Sequence, residues 1–347
     1  MSDKTQIEWT DATWNPIRGC SRVSDGCRHC YAEGQAARII RMERGRGVAE
    51  GEGSYDGLLA KGGQWNGRIK IVPEALEQPL RWSKPRSIFV NSMSDLFHEN
   101  VPNDVIDRVF AIMAKASQHT FQILTKRPER MVQYMQGLQA AADDWAPRTA
   151  HGVFTPTQVL NFRYTHRRKG APVFRAPWPL PNVWIGVSVE NQDAANERIP
   201  LLLQTPAAVR WLSMEPLLGP VDLSAWLGTG LDWVVAGGES GPQARPMHPQ
   251  WPRQIRDQCA AANVPFLMKQ WGEWVTPEDA PAEGLIFNSA TRQAIVATDG
   301  AARDAVQGVA PATGERLMSR LGKRKTGRLI DGALHDAYPP TPVLVTL

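Results

Sequence analysis

The chain has 347 residues, 42% of them apolar and 21% charged, enough for one large domain or two ordinary ones with a buried core and a charged surface. That composition excludes a disordered, collagen-like or coiled-coil protein, and no stretch approaches the ~18 uninterrupted apolar residues of a membrane span. Thirty-nine basic against 35 acidic side chains leave +4, too mild to announce nucleic-acid binding without local clustering. The opening MSDKTQIEWTDATWN lacks the basic-then-apolar pattern of a secretion signal, so a soluble cytoplasmic protein is expected.

The first feature in chain order is a cysteine loop. Cys20, Cys27 and Cys30 fall within eleven residues, while Cys259 stands alone far downstream. In a reducing cytosol three thiols in one loop point to a shared ligand rather than a disulfide. Structural zinc needs a closed set of four ligands, the fourth being His29 or a distant side chain. An iron–sulfur cluster held by three thiolates would keep one iron open for chemistry.

Segments that read as short buried strands follow: Ser87–Met93, Thr120–Lys126, Asn182–Glu190, Val209–Glu215, Leu231–Glu239 and Pro265–Gln270. Near-continuous apolar runs of this kind suit a parallel sheet. Between them, Asn103–Ala116 and Trp251–Ala262 carry apolar residues at helical spacing, which makes Cys259 a small core residue. Alternating strands and helices predict β/α units, and each strand ends in polar residues, where a β/α barrel places its active site. The thirteen tryptophans read as core and rim packing.

Two stretches interrupt the rhythm. Residues 41–70 are rich in Gly and charge and read as a loop with a short helix, with Trp65 their one notable side chain. Within 143–180, Asn161–Arg175 carries Arg163, Arg167, Arg168 and Lys169 interleaved with aromatics that include Tyr164, the mixture that tracks phosphates and stacks bases. Arg127 adds a basic residue directly after the Thr120–Lys126 segment. From residue 275 the strand–helix rhythm is lost, and 275–347 read as an extension docked on the body formed by 1–274.

With these motifs in view, the chain resembles the radical S-adenosylmethionine superfamily. The spacing here is C-x6-C-x2-C, against the common C-x3-C-x2-C. More closely it resembles a family of phage and prophage proteins of uncharacterised function marked by three cysteines, through blocks such as IEWTDATWNPIRGCSRVSDGCRHCYAE, IFVNSMSDLFHENVP, FQILTKRPERM, NVWIGVSVENQ, RWLSMEPLLGP and GRLIDGALHDAYP. A fainter similarity, through Ser-Met-Ser-Asp and Thr-Lys turns, is to spore photoproduct lyase. The resemblance implies a partial or full (β/α) barrel of radical-SAM type, with a basic insertion and a C-terminal extension.

It further implies that Cys20, Cys27 and Cys30 hold a [4Fe-4S] cluster to which S-adenosyl-L-methionine binds. An electron donor such as flavodoxin or ferredoxin would reduce it. By the same resemblance, His29 and Tyr31 would flank the adenine. Ser92, Ser94 and Asp95 would receive the cosubstrate's ammonium and Lys126 its carboxylate, with Ser188, Glu190 and Asn191 at the ribose. Glu215, Glu239, Lys269 and Gln270 would face the substrate. The expected activity is modification or rearrangement of a base, such as a hypermodified thymine, in phage DNA or nucleotide. The alternatives are a radical lyase acting on a DNA lesion, or a non-catalytic nucleic-acid-binding protein with zinc or an inert cluster.

Overall fold

In the computed structural model, Thr5 and residues 7–145, 178–281, 291–306 and 309–340 are described. Seven parallel strands make the main sheet: β1 (Ala12–Trp14), β2 (Ser87–Val90), β3 (Thr120–Thr125), β4 (Val183–Ser188), β5 (Val209–Met214), β6 (Trp233–Gly237) and β7 (Phe266–Gln270). They lie side by side in chain order, each parallel to the next, with β1 and β7 at the edges. The sheet curls into half of a barrel, so the coarser expectation holds: a mixed α/β body with a partial barrel.

Parallel neighbours need crossovers, and helices supply them on one side. These are α1 (Tyr31–Gly45), α2 (Asn103–Lys115), α3 (Pro128–Trp145), α4 (Gln192–Leu203) and α5 (Gln250–Ala261). Among the described residues no helix is long and apolar enough to cross a membrane. The strands end one to three residues before most of the segments read from sequence, because the polar residues after each apolar run turn away from the ladder.

Period-two alternation sorts each strand's side chains between two cores. Ile88, Val90, Ile123, Ile185, Val187, Leu212, Val234 and Met268 pack with the helices, where Cys259 of α5 is fully buried as its sequence pattern predicts. Their neighbours Phe89, Trp184, Trp211, Trp233, Val235 and Leu267 form a separate cluster with Trp9. Since the helices cover the first set, the second lines the concave face. Its indoles meet edge to face or tilted, Trp9 at 5.1 Å from Trp211 and Trp211 at 5.4 Å from Trp233.

Gly186 of β4 makes room for this aromatic layer. A methyl group there would lie 2.5 Å from the Trp211 ring, which is fully buried and wedged by Trp9 and Trp233. Gly186→Ala is therefore expected to cost about 3 kcal/mol, the upper end of ordinary overpacking, read as a lower guanidinium midpoint. An unchanged midpoint would show that the ring can swing aside.

The chain after β7 forms a small antiparallel sheet, β8 (Trp274–Val275), β9 (Gln293–Val296), β10 (Ala302–Asp304) and β11 (Arg316–Arg320), in the order β8-β11-β9-β10. The chain then returns along the edge strand β7. Met268 N–H donates to His335 O (2.9 Å) and Ala337 N–H to Phe266 O (3.2 Å), satisfying backbone groups an open edge would leave unpaired. Tyr338 stacks on Trp233 at 5.1 Å and donates to Glu8 O (3.3 Å), so the tail meets the N-terminal segment at the foot of the curl.

Candidate functional site

The cysteine loop leaves β1 at the carboxyl edge of the sheet. Cys20, Cys27 and Cys30 are all unpaired and half-buried. One 3-10 turn, Asp25–Cys27, separates the first gap from the second, and Cys30 is the N-cap residue of α1. Cys20 and Cys30 rest on an apolar bed of Ala32, Ala36, Tyr55, Leu58, Trp65 and Met93. Three of those residues come from the 41–70 insertion, so this stretch builds the floor of the loop. Arg22 grips Glu33 of α1 through two hydrogen bonds of 2.9 and 2.6 Å, and Glu33 also accepts from Trp65 N–H.

Burial pushes the Cys20 thiol up to about 12, helped by the charges of Asp95 and Cys30 and opposed by Arg127, whose Nη1 donates to Cys20 Sγ at 3.8 Å. Cys30 is likewise raised by burial, with Cys27 adding to the effect. Cys30 thus lies within electrostatic reach of both Cys20 and Cys27. Among the described residues, no group of three or more His, Cys, Asp and Glu side chains is drawn together as the cage of a metal ion.

Two ionic clamps fasten the loop across the sheet. Glu239, after β6, lies 3.1 Å from His29 Nδ1 and accepts three bonds from Arg245: from its backbone N–H (2.7 Å), Nε (2.9 Å) and Nη2 (2.7 Å). Arg245 Nη1 continues to Asp25 at 2.6 Å. Glu239 is 5% exposed, so it holds the loop from beneath and does not face open space. The second clamp is Glu190, after β4. It is paired with Arg198 of α4 (2.8 Å) and Lys126 (3.6 Å). Gly26 sits so close above it that an added methyl group would lie 3.0 Å from the Glu190 carboxyl carbon. Burial raises both carboxylates, but their partners more than reverse this: the Lys126 and Arg198 cations hold Glu190 below the usual carboxylate range, and hydrogen bonds from Arg245 and His29 do the same for Glu239.

The turn after β2 is the platform on which the loop begins. Gly19 N–H donates to Met93 O (3.3 Å), and Tyr31 OH donates to Ser92 O (2.5 Å). The side chains expected to receive the cosubstrate's ammonium are engaged here instead. Ser92 Oγ exchanges hydrogen bonds with the Asn15 amide (3.1 Å), and Ser94 Oγ donates to Ile17 O (2.9 Å). Asp95 accepts from Thr125 Oγ1 (2.8 Å), Phe97 N–H (2.9 Å), Lys126 N–H (3.1 Å) and Arg127 Nη1 (3.0 Å).

Arg127 also differs from its sequence reading as a phosphate contact. It is 8% exposed, and its guanidinium is spent on Asp95, Glu99 (2.9 Å), Ser21 (2.7 Å) and Cys20, so it braces the loop from below. Asn191, expected at a ribose, caps α4 by accepting from Ala194 N–H at 2.9 Å. Position in sequence marked both as polar strand-end residues; their partners, which come from other turns of the chain, decide what they do.

Glu215, Lys269 and Gln270 do come together, from the ends of β5 and β7. Lys269 Nζ pairs with Glu215, and Gln270 Nε2 donates to the same carboxylate at 2.6 Å. Glu215 also raises the Tyr31 hydroxyl, the largest cause there being burial, which ties this group to the platform turn. Ser188 ends β4 on the concave side by the alternation that places Trp184 there. Arg163, Tyr164, Arg167, Arg168 and Lys169 lie outside the described residues.

Two functional candidates were not signalled by sequence. Arg245 sits in an unremarkable Gly-Pro-Gln-Ala-Arg stretch, and only the fold brings it to Glu239. Asn91 directly precedes Ser92 yet shows its distinction only in three dimensions: left-handed backbone (φ 60°), 3% exposure, and, among the described residues, no hydrogen-bond partner for either side-chain amide atom.

Residues 4–339 match the family described as a protein of unknown function, DUF5131, and the chain belongs to that family. No curated protein and no solved structure matches it.

Proposed function

We propose that this chain is a radical S-adenosylmethionine enzyme whose Cys20, Cys27 and Cys30 hold a [4Fe-4S] cluster, and that it modifies a base in DNA or nucleotide. The observation that carries the reading is three unpaired, half-buried thiols on one loop, Cys30 within electrostatic reach of the other two, clamped over the carboxyl edge of a parallel half-barrel. That donor set suits a cluster: all-sulfur ligation, an apolar bed beneath Cys20 and Cys30, and an N–H donor aimed at one sulfur. When bound, the cluster supplies an electron that splits S-adenosylmethionine into methionine and a 5′-deoxyadenosyl radical able to take hydrogen from unactivated carbon.

The protein's part is positioning and exclusion of water. Arg127 and the Glu239–Arg245–Asp25 clamp fix the loop from opposite sides, so the thiolates keep their places through turnover. Lys126, paired at 3.6 Å with Glu190 among the described residues, keeps donors for a ligand carboxylate. The Glu215–Lys269–Gln270 group stands at the mouth, where it would orient the reacting base. The basic and aromatic stretch Asn161–Arg175 supports a nucleic-acid substrate by composition.

Anaerobic reconstitution with iron and sulfide, reduction by dithionite and addition of S-adenosylmethionine are expected to yield 5′-deoxyadenosine. Stoichiometric zinc with no cleavage of the cosubstrate would overturn the proposal.

A further inference from the structure

The charges around the mouth neutralise one another: Lys126 and Arg198 against Glu190, Lys269 against Glu215, Arg245 against Glu239 and Asp25, and Arg127 against Asp95. Among the described residues, two neutral side chains near these pairs also carry unmet buried polar atoms. Asn91 follows Val90 at the end of β2, in the turn through which Ser92 O meets Tyr31 and Met93 O meets Gly19 of the cysteine loop. The residue is 3% exposed, and among the described residues neither Nδ2 nor Oδ1 has a partner. Gln270, also 3% exposed, spends its Nε2 on Glu215 and Gly238 O and leaves Oε1 unmet. Tyr31 links the two places, since it donates to Ser92 O beside Asn91 and lies in the field of Glu215, which binds Gln270.

A buried amide without partners is costly, and the left-handed backbone at Asn91 adds strain that Gly would avoid. Both costs persist where a ligand answers them. A charged ligand group would need an uncompensated countercharge, whereas an amide offers a donor beside an acceptor and is answered by a neutral edge with the same pair reversed.

We propose that Asn91 is a specificity-determining residue that reads the imide edge of a pyrimidine base of the uracil or thymine type, Nδ2 donating to the ring carbonyl and Oδ1 accepting from the ring N–H. The choice of ligand rests on the nucleobase reading above. The competing occupant of the same amide is the amino-acid end of the cosubstrate.

Calorimetric titration of the full chain, reconstituted but unreduced, separates these cases and requires no cosubstrate cleavage. Thymidine is expected to bind the unaltered protein, and to bind at least about tenfold more weakly to Asn91→Gly, the loss of one or two neutral hydrogen bonds. N3-methylthymidine, which lacks the donor, should show the same loss against the unaltered protein. S-adenosylmethionine should bind both proteins equally. Because Gly accepts φ 60° and removes an unmet amide, the variant's thermal midpoint should equal or exceed that of the parent. Failure of thymidine to bind, equal thymidine affinity in Asn91→Gly, or a tenfold loss for S-adenosylmethionine instead would each overturn the assignment. Thymidine binding with this pattern in a protein that never forms 5′-deoxyadenosine would uphold the base site while sinking the radical reading.

Discussion

Alanine at Cys20, Cys27 or Cys30 is expected to reduce the iron content of anaerobically reconstituted protein to background, whereas Cys259→Ala is expected to load fully. The contrast follows from place. The loop thiols are half-buried at the carboxyl edge, Cys30 within electrostatic reach of the other two, while Cys259 is fully buried among the helix-side residues of α5, where burial alone pushes its thiol up to about 12. A thiol in that setting is a small apolar side chain, and its loss removes packing worth about 1 kcal/mol and no ligand. Removing any loop cysteine leaves two thiolates, too few to retain a cluster against competing thiols in solution. Iron and sulfide assays with the visible absorption of each variant make the measurement. Normal loading in any one loop variant would remove that cysteine from the ligand set and sink the cluster assignment with it.

Asp95→Ala is expected to cost about 3–5 kcal/mol of folding stability, the range for removing one partner of a buried ion pair. The carboxylate is 6% exposed and gathers donors from three directions: the Thr125 hydroxyl and Lys126 N–H after β3, Phe97 N–H from its own turn, and the Arg127 guanidinium. Truncation strands Arg127 beneath the cysteine loop with its principal buried countercharge gone, Glu99 being 59% exposed. Asp95→Asn, which keeps one oxygen acceptor, should fall between the parent and Asp95→Ala. Denaturation by guanidinium, analysed for midpoint and slope, reads the difference. A loss under about 1 kcal/mol, with weakened binding of S-adenosylmethionine instead, would return Asp95 to the ligand role its position suggests.

Much of the fold was legible along the chain. Parallel strands covered on both faces read as apolar runs, and all six runs from Ser87 to Gln270 are strands of one sheet in chain order. The helical spacing in Asn103–Ala116 and Trp251–Ala262 corresponds to α2 and α5 within one residue at each end. The separation of the tail from the strand–helix rhythm was also visible, though its small antiparallel sheet and its return to β7 were not. Hydrogen bonds such as Met268 N–H to His335 O join residues far apart in sequence, and backbone pairing carries no side-chain signature.

For the site, the amino-acid sequence by itself determined the inventory: three closely spaced thiols, one distant core thiol, and polar side chains at the ends of successive strands. Tertiary structure alone decided their division of labour. Asp95, Arg127, Glu190 and Glu239 hold the cysteine loop in place, Asn191 caps a helix, and Glu215, Lys269 and Gln270 converge at the mouth. The insertion 41–70 becomes the floor under Cys20 and Cys30, and Asn91 becomes the buried amide left unmet among the described residues. Spacing along a chain reveals which face of an element a side chain takes, because that depends on local backbone period. Whether a buried polar group is answered or left open depends on charges and donors carried in from other elements, and only the folded chain brings those within hydrogen-bonding distance.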